Sequence, residues 1–142
     1  MKLSTRSRYG LRAMVFIASK AAKAVSCELI AESEGVSKRY LDRILNKLRK
    51  SGLLRSVKGQ GGGYVLSRPA DEIRTDQIIA ALEGSLCLVE CVDDPSVCKK
   101  ANDCRTRKVW SLIASAVNES LRGISLHELA VGEGVRGCRG PQ

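Results

Sequence analysis

Two short amphipathic helices joined by a glycine-bearing turn, followed by a glycine-rich hairpin, constrain this chain more than any other feature. Ser26 is placed as an N-cap, with Val25 and Ile30 as the hydrophobic staple of a helix over 27–33. Gly35 supplies the permissive residue that closes it. Val36 and Leu41 repeat the staple around a second cap, Ser37. Leu41, Ile44, Leu45 and Leu48 then draw the buried stripe of a helix running to about Lys50. Two short helices across a tight turn make a helix-turn-helix. Leu11, Met14, Val15 and Ala18, at i, i+3, i+4 and i+7, predict a supporting helix ahead of it. Behind it, Leu53–Val57 and Tyr64–Leu66 flank Lys58-Gly59-Gln60-Gly61-Gly62-Gly63, which predicts a two-stranded β wing. The expected class is mainly α: a winged helix-turn-helix with further helices beyond it.

Charge follows the same boundary. Residues 1–68 carry 15 Lys and Arg against 4 Asp and Glu, a balance of +11, and the remainder −2, within a net charge of +9. A basic front half on a near-neutral back half is the footprint of a polyanion binder. A solvated basic surface is the plainer alternative. The outward face of the second helix offers Ser37, Lys38, Arg39, Tyr40, Asp42 and Arg43 near its N-terminus, the end that recognition helices push into the major groove. Arg39 or Arg43 has the fork to pair with guanine, and Asp42 can accept from a cytosine amino group. At the wing tip, Lys58, Gly59, Gln60 and Gly61 combine charge with a backbone bare enough to approach a phosphate or a narrow minor groove. The tip is not read as a nucleotide-binding loop, because no helix follows it directly and no Gly-Lys-Ser/Thr pattern is present.

Beyond Arg68-Pro69, Thr75 is placed to cap a helix carrying Ile78, Ile79 and Leu82 and ending at Gly84. An irregular stretch from Ser85 to Asp103 follows, holding Cys87, Cys91 and Cys98 and leading to Cys104. So long a loop is unusual unless it is functional. Val109, Leu112, Ile113, Ala116 and Val117 then give an apolar stripe to about Leu121, beside Trp110. On a helix beyond a small winged domain this predicts a seam between two copies, since a palindromic site is read by a symmetric dimer. The alternative is a helix folded back on its own domain. Ser125 and Glu128 form a capping box, stapled by Ile124 and Leu129, for a brief last helix. The expected organisation is a DNA-binding domain over 1–83, a cysteine-rich loop over 84–104, a dimerisation helix and short final helix over 105–131, and a flexible tail over 132–142.

The chain reads as cytoplasmic. No apolar run approaches the roughly 18 residues of a membrane span, and the start is interrupted by Arg12 and Ser19 without a small-residue cleavage site. In that setting six cysteines, Cys27, Cys87, Cys91, Cys98, Cys104 and Cys138, point to metal or redox chemistry rather than a disulfide framework. Cys91, Cys98 and Cys104 have the spacing Cys-x6-Cys-x5-Cys, too wide for a zinc knuckle and slack enough for three thiolates to meet on one iron–sulfur cluster. Redox-active thiols tuned by Lys99, Lys100 and Arg105, with no cluster, are the alternative. Cys27 reads as a small packed residue and His127 as structural or exposed. A small electron-carrying iron–sulfur protein would leave the basic front half without a purpose. One His, no paired carboxylates and no nucleophile–base pair argue against an enzyme.

Taken together, these residues make the chain resemble the IscR/NsrR/RirA superfamily of winged-helix iron–sulfur transcription regulators (the Rrf-two family). Lys2-Leu3-Ser4-Thr5 and Arg8-Tyr9-Gly10-Leu11-Arg12-Ala13-Met14 resemble its first helix, and Val36-Ser37-Lys38-Arg39-Tyr40-Leu41 its recognition helix. The stretch from Leu45 through Leu53 to Gly61-Gly62-Gly63-Tyr64 resembles the passage from that helix into its wing. The cysteine triad followed by Val109-Trp110 resembles its cluster loop and dimer helix. The resemblance implies a homodimer on double-stranded palindromic promoter DNA. It also implies one iron–sulfur cluster per subunit on Cys91, Cys98 and Cys104, whose presence, type or oxidation state biases DNA binding. The fourth ligand departs from the family pattern. Some members use a His three residues past the last cysteine, where this chain has Arg107, which cannot ligate; others use an acidic residue near the partner's N-terminus, where it has Arg8. Cys87 is the local alternative, and Glu90, Asp93, Asp94 and Asp103 are weaker ones. Cys138, a small thiol or a solvent ligand completes the set, so 2Fe–2S and 4Fe–4S both stay open.

Overall fold

Residues 3–132 are described in a computed structural model; Cys138 and the expected tail past Gly132 lie outside them. Serine caps start the front helices. The Oγ atoms of Ser4, Ser26 and Ser37 accept from the backbone N–H groups of Ser7, Leu29 and Tyr40 at 3.3, 3.2 and 3.2 Å, opening α1 (Thr5–Ala18), α2 (Cys27–Glu34) and α3 (Lys38–Lys50). Gly35, at φ 65°, closes α2 as expected. β1 (Leu54–Val57) and β2 (Gly63–Leu66) pair antiparallel, Leu54 opposite Leu66 and Val57 opposite Gly63. A short 3-10 turn at Ala70–Glu72 leads to α4 (Thr75–Glu83), followed by α5 (Glu90–Asp93), a 3-10 turn at Pro95–Val97, α6 (Arg105–Arg122) and α7 (Leu126–Val131).

The core forms where α1, α3 and α4 cross. Leu41, Ile44, Leu45 and Leu48 of α3 are buried as their spacing predicts, against Ile78 and Leu82 of α4 and Leu126 of α7. On α1 the stripe differs from the expected one: Gly10, Ala13, Met14 and Ile17 are buried, while Leu11, Val15 and Ala18 are only partly covered. The cause is the crossing itself. A Cβ on Gly10 would overlap Leu82 Cδ1 and stand 3.2 Å from Ile44 Cγ2. The smallest residue therefore faces the tightest contact, and Leu11 moves to the flank.

The wing is anchored to the strand-like segment before α2. Val25 and Tyr64 exchange backbone hydrogen bonds at 3.0 and 2.8 Å. A Cβ on Gly63 would run into the Val25 backbone there, so at least one glycine of the run serves an internal approach, where sequence reasoning expected an approach to DNA.

Two further expectations are corrected. Thr75 is the first residue of α4 and does not cap it; its N–H and hydroxyl both donate to the Ile124 carbonyl, at 3.0 and 2.9 Å. The Gln77 side chain caps the helix by accepting from the Arg74 N–H at 3.1 Å. The Ser85–Asp103 stretch is also not wholly irregular, since it contains α5 and a 3-10 turn. The Ser125–Glu128 capping box is present, and the Leu126 N–H donates to the Ile73 carbonyl at 2.8 Å, which ties α7 into the front core. No described helix is long and apolar enough to cross a membrane.

Candidate nucleic-acid interface and cysteine segment

The first turns of α3 divide their residues between those with partners inside the protein and those left exposed. The Ser37 Oγ is occupied as a cap acceptor. Lys38 is ion-paired with Glu28 of α2, which pushes the Lys38 pKa up and holds the exposed Glu28 carboxyl below its ordinary range. Tyr40 is half-buried and meets Tyr9 edge-on at 6.2 Å, with the Arg12 guanidinium over the Tyr9 ring. Asp42 accepts from Asn46 Nδ2 at 3.4 Å and, at the long limit, from the Tyr64 hydroxyl at 3.5 Å. Arg39 and Arg43 remain exposed, with no ion pair among the described residues. Their guanidinium groups are open to a ligand from outside the chain. Lys58, Gly59, Gln60 and Gly61 project at the hairpin tip, all exposed.

Tyr64 is a site residue that sequence reasoning missed. Read as a strand position, it joins the wing to the recognition helix through Asp42. Burial, then the Asp42 charge, raises its pKa, so it stays a hydroxyl donor. Cys27 is buried beneath α3 as expected, its thiol 3.7 Å from the Lys38 carbonyl, and burial raises its pKa.

The cysteine segment runs between α4 and α6. Cys87 donates from Sγ to Asp93 Oδ1 at 2.8 Å; this bond raises the thiol pKa and lowers that of the carboxyl. Cys91 lies in α5, and its carbonyl accepts from Arg107 Nε at 2.8 Å while Arg107 Nη2 reaches the Val92 carbonyl at 3.5 Å. Arg107, unable to ligate, thus bolts α5 to α6. Cys98 follows the 3-10 turn, and Cys104 occupies the N-cap position of α6. The Thr106 hydroxyl at 3.2 Å, then the Arg107 backbone N–H, lower the Cys104 pKa.

Cys87, Cys91, Cys98 and Cys104 are half-buried free thiols. Among the described residues, no three Cys, His, Asp or Glu side chains lie close enough together to hold a metal ion. The three expected cluster thiols, with Cys87 as fourth, are therefore placed on one segment but not brought together. Their donor chemistry suits an iron–sulfur cluster, which takes thiolates; their spacing in this arrangement does not yet form its cage.

Beyond the segment, α6 buries only Ala114 and exposes Val109, Trp110, Leu112 and Ile113. A shallow groove of about 360 Å³ runs along Ile113, Ala116, Val117, Ser120 and Leu121.

Residues 3–132 match the Rrf2 family, described as iron-dependent transcriptional regulators. The chain belongs to the Rrf2 family. It is 38% identical over 132 residues to the HTH-type transcriptional regulator IscR of Aliivibrio salmonicida, covering 92% of this chain and 78% of that one. The solved structure of CymR, the global cysteine regulator of B. subtilis, is 36% identical and superposes with a TM-score of 0.77 over 94% of this chain and 99% of that one. The solved T. potens IscR is 34% identical, with a TM-score of 0.75 over 99% and 94%. The winged helix with a C-terminal helix is thus the family fold. This Rrf2-family protein is a transcription regulator, and the relatives it matches are regulators rather than enzymes.

Proposed function

We propose that this Rrf2-family regulator binds palindromic promoter DNA as a homodimer and that an iron–sulfur cluster on Cys91, Cys98 and Cys104 controls the binding. The observation that carries the reading is the placement of the thiols. They are free, half-buried, and set between α4, which packs on the recognition helix, and α6, whose apolar face is open. Arg39 and Arg43 would read bases, while Lys58 and the wing backbone would hold phosphates. The face of Val109, Leu112 and Ile113 would bury itself against a second copy, as a two-fold axis requires for two half-sites.

The cluster would supply sensitivity to iron supply and oxidation. This chain's own contribution is to provide thiolates and to change shape in doing so. Ligation by three thiolates of one segment would draw that segment together, as in other sites where metal binding is coupled to folding. A second reading has support in the lowered Cys104 pKa: thiol oxidation without a cluster, in keeping with the similarity to CymR, the global cysteine regulator of B. subtilis.

Anaerobic purification with an absorbance spectrum and iron and sulfide analysis separates the two. Brown wild-type protein with bound iron and sulfide, lost in Cys98→Ala, is expected. Colourless, iron-free wild type that stays empty after reconstitution leaves the thiol switch.

A further inference from the structure

The last turn of α4 meets both α3 and α1. Its Leu82 carbonyl accepts from the Lys47 ammonium of α3 at 2.8 Å. The fully buried Leu82 side chain packs over Gly10 of α1, with Ile44 of α3 against the same glycine. One residue past the helix, Gly84 takes φ 85° and ψ −133°, a region residues with a Cβ rarely enter. At that glycine the chain turns out of α4 into the cysteine segment.

We propose that Lys47 is the positioning residue that makes the recognition helix follow the cysteine segment. A helix C-terminus carries partial negative charge on its free carbonyls, so an ammonium there is held by charge as well as by a hydrogen bond. Lys47 supplies that ammonium from α3, the helix that carries Arg39 and Arg43 a few residues upstream. Close-packed helices shift as units rather than deform. A displacement entering at Gly84 therefore moves the end of α4, and Lys47 with the Leu82–Gly10–Ile44 contact carries it into the reading turn of α3. α4 also packs against α6, so movement at the apolar helix reaches the same joint. This inference rests on the proposed control of DNA binding by the cysteine segment and holds for either chemistry there.

The test is a double-mutant cycle in the full chain, read as operator affinity by fluorescence anisotropy at fixed salt. Gly84→Ala alters the exit from α4; Lys47→Met removes the charge and hydrogen bond while keeping the apolar stem. In the wild-type background Gly84→Ala is expected to change affinity by about fivefold or more, the lower end of ordinary allosteric coupling. In the Lys47→Met background the same change should fall below about twofold, and Lys47→Arg should restore it. The salt dependence of Lys47→Met should match wild type, since Lys47 is not assigned a phosphate. Should Gly84→Ala fail to fold, Arg107→Ala, which releases α5 from α6, replaces it in the cycle. Strictly multiplicative effects overturn the role of Lys47. Equal operator affinity of wild type loaded with iron and sulfide and wild type stripped of both overturns cluster control alone and leaves the role of Lys47 to be decided by the cycle.

Discussion

In α3, Leu41, Ile44, Leu45 and Leu48 are at most 1% exposed, whereas in α6 an equally regular apolar stripe leaves Leu112 70% and Val109 51% exposed. Both helices have the periodicity of a buried face. They differ in what meets that face. The α3 stripe is covered by α1 and α4 of the same chain; the α6 stripe has only a partial cover from α4 and α5. The polar groups repeat the contrast. Ser26 and Ser37 complete their caps locally, while the cysteine segment carries four half-buried free thiols. The front of the regulator is completed within its own chain, whereas the back leaves an apolar helix face and free thiols open, the two features that the proposed dimer and cluster would use.

The largest effect is expected from a core deletion in the front. Leu45→Ala should cost about 2–5 kcal/mol, measured by denaturant unfolding and independent of protein concentration. A cost that depends on concentration would mean that the front also needs a partner. The next is Leu112→Asp, which should leave the unfolding of the front domain intact and weaken self-association about 30-fold, the scale of one interface hot spot of about 2 kcal/mol. Sedimentation equilibrium reads it, and a dimer undiminished by Leu112→Asp would move the seam off α6.

Within the front, Arg43→Ala should cost about 1–3 kcal/mol on the cognate operator and relax discrimination at one base pair. Lys58→Ala should weaken all DNA alike and reduce the salt slope by about 1. If Lys58→Ala altered base preference instead, the division between reading helix and phosphate-holding wing would be wrong.

The smallest effect concerns Glu83, at the junction of front and back. It accepts from the Ser4 N–H at 2.9 Å, from the Ser4 hydroxyl, and from the Ser7 hydroxyl at 2.5 Å. These bonds hold its pKa below the ordinary carboxylate value. With the folded pKa the lower one, its contribution is fully present above the unfolded pKa and is lost as pH falls through the folded value. Glu83→Gln should therefore be less stable than wild type at neutral pH, with the gap closing on acidification. A gap that widens in acid contradicts the assignment.

The comparison also explains what could be read from the sequence. Ser26, Gly35, Ser37 and the α3 stripe were legible because caps and periodicity are local signals and their partners lie in the same chain. The α1 stripe was misplaced by one residue because Gly10 is buried through a helix crossing, which hydrophobic periodicity does not register. Thr75 looked like a cap, but its hydroxyl has a partner 49 residues away at Ile124. Tyr64 and Arg107 act through contacts between elements, with Asp42 and with the Cys91 carbonyl, and neither contact has a local motif. The cysteine triad was visible as a spacing, yet a spacing states only what the thiols can reach and not whether they converge.

The most direct test of the central claim is the operator affinity of one anaerobic preparation, measured after loading with iron and sulfide and again after stripping both, beside Cys98→Ala treated in the same way. Wild type should change by about tenfold, within the usual range of allosteric coupling, and Cys98→Ala should not change. Equal affinities for loaded and stripped wild type, with loading verified by iron and sulfide analysis, would contradict it.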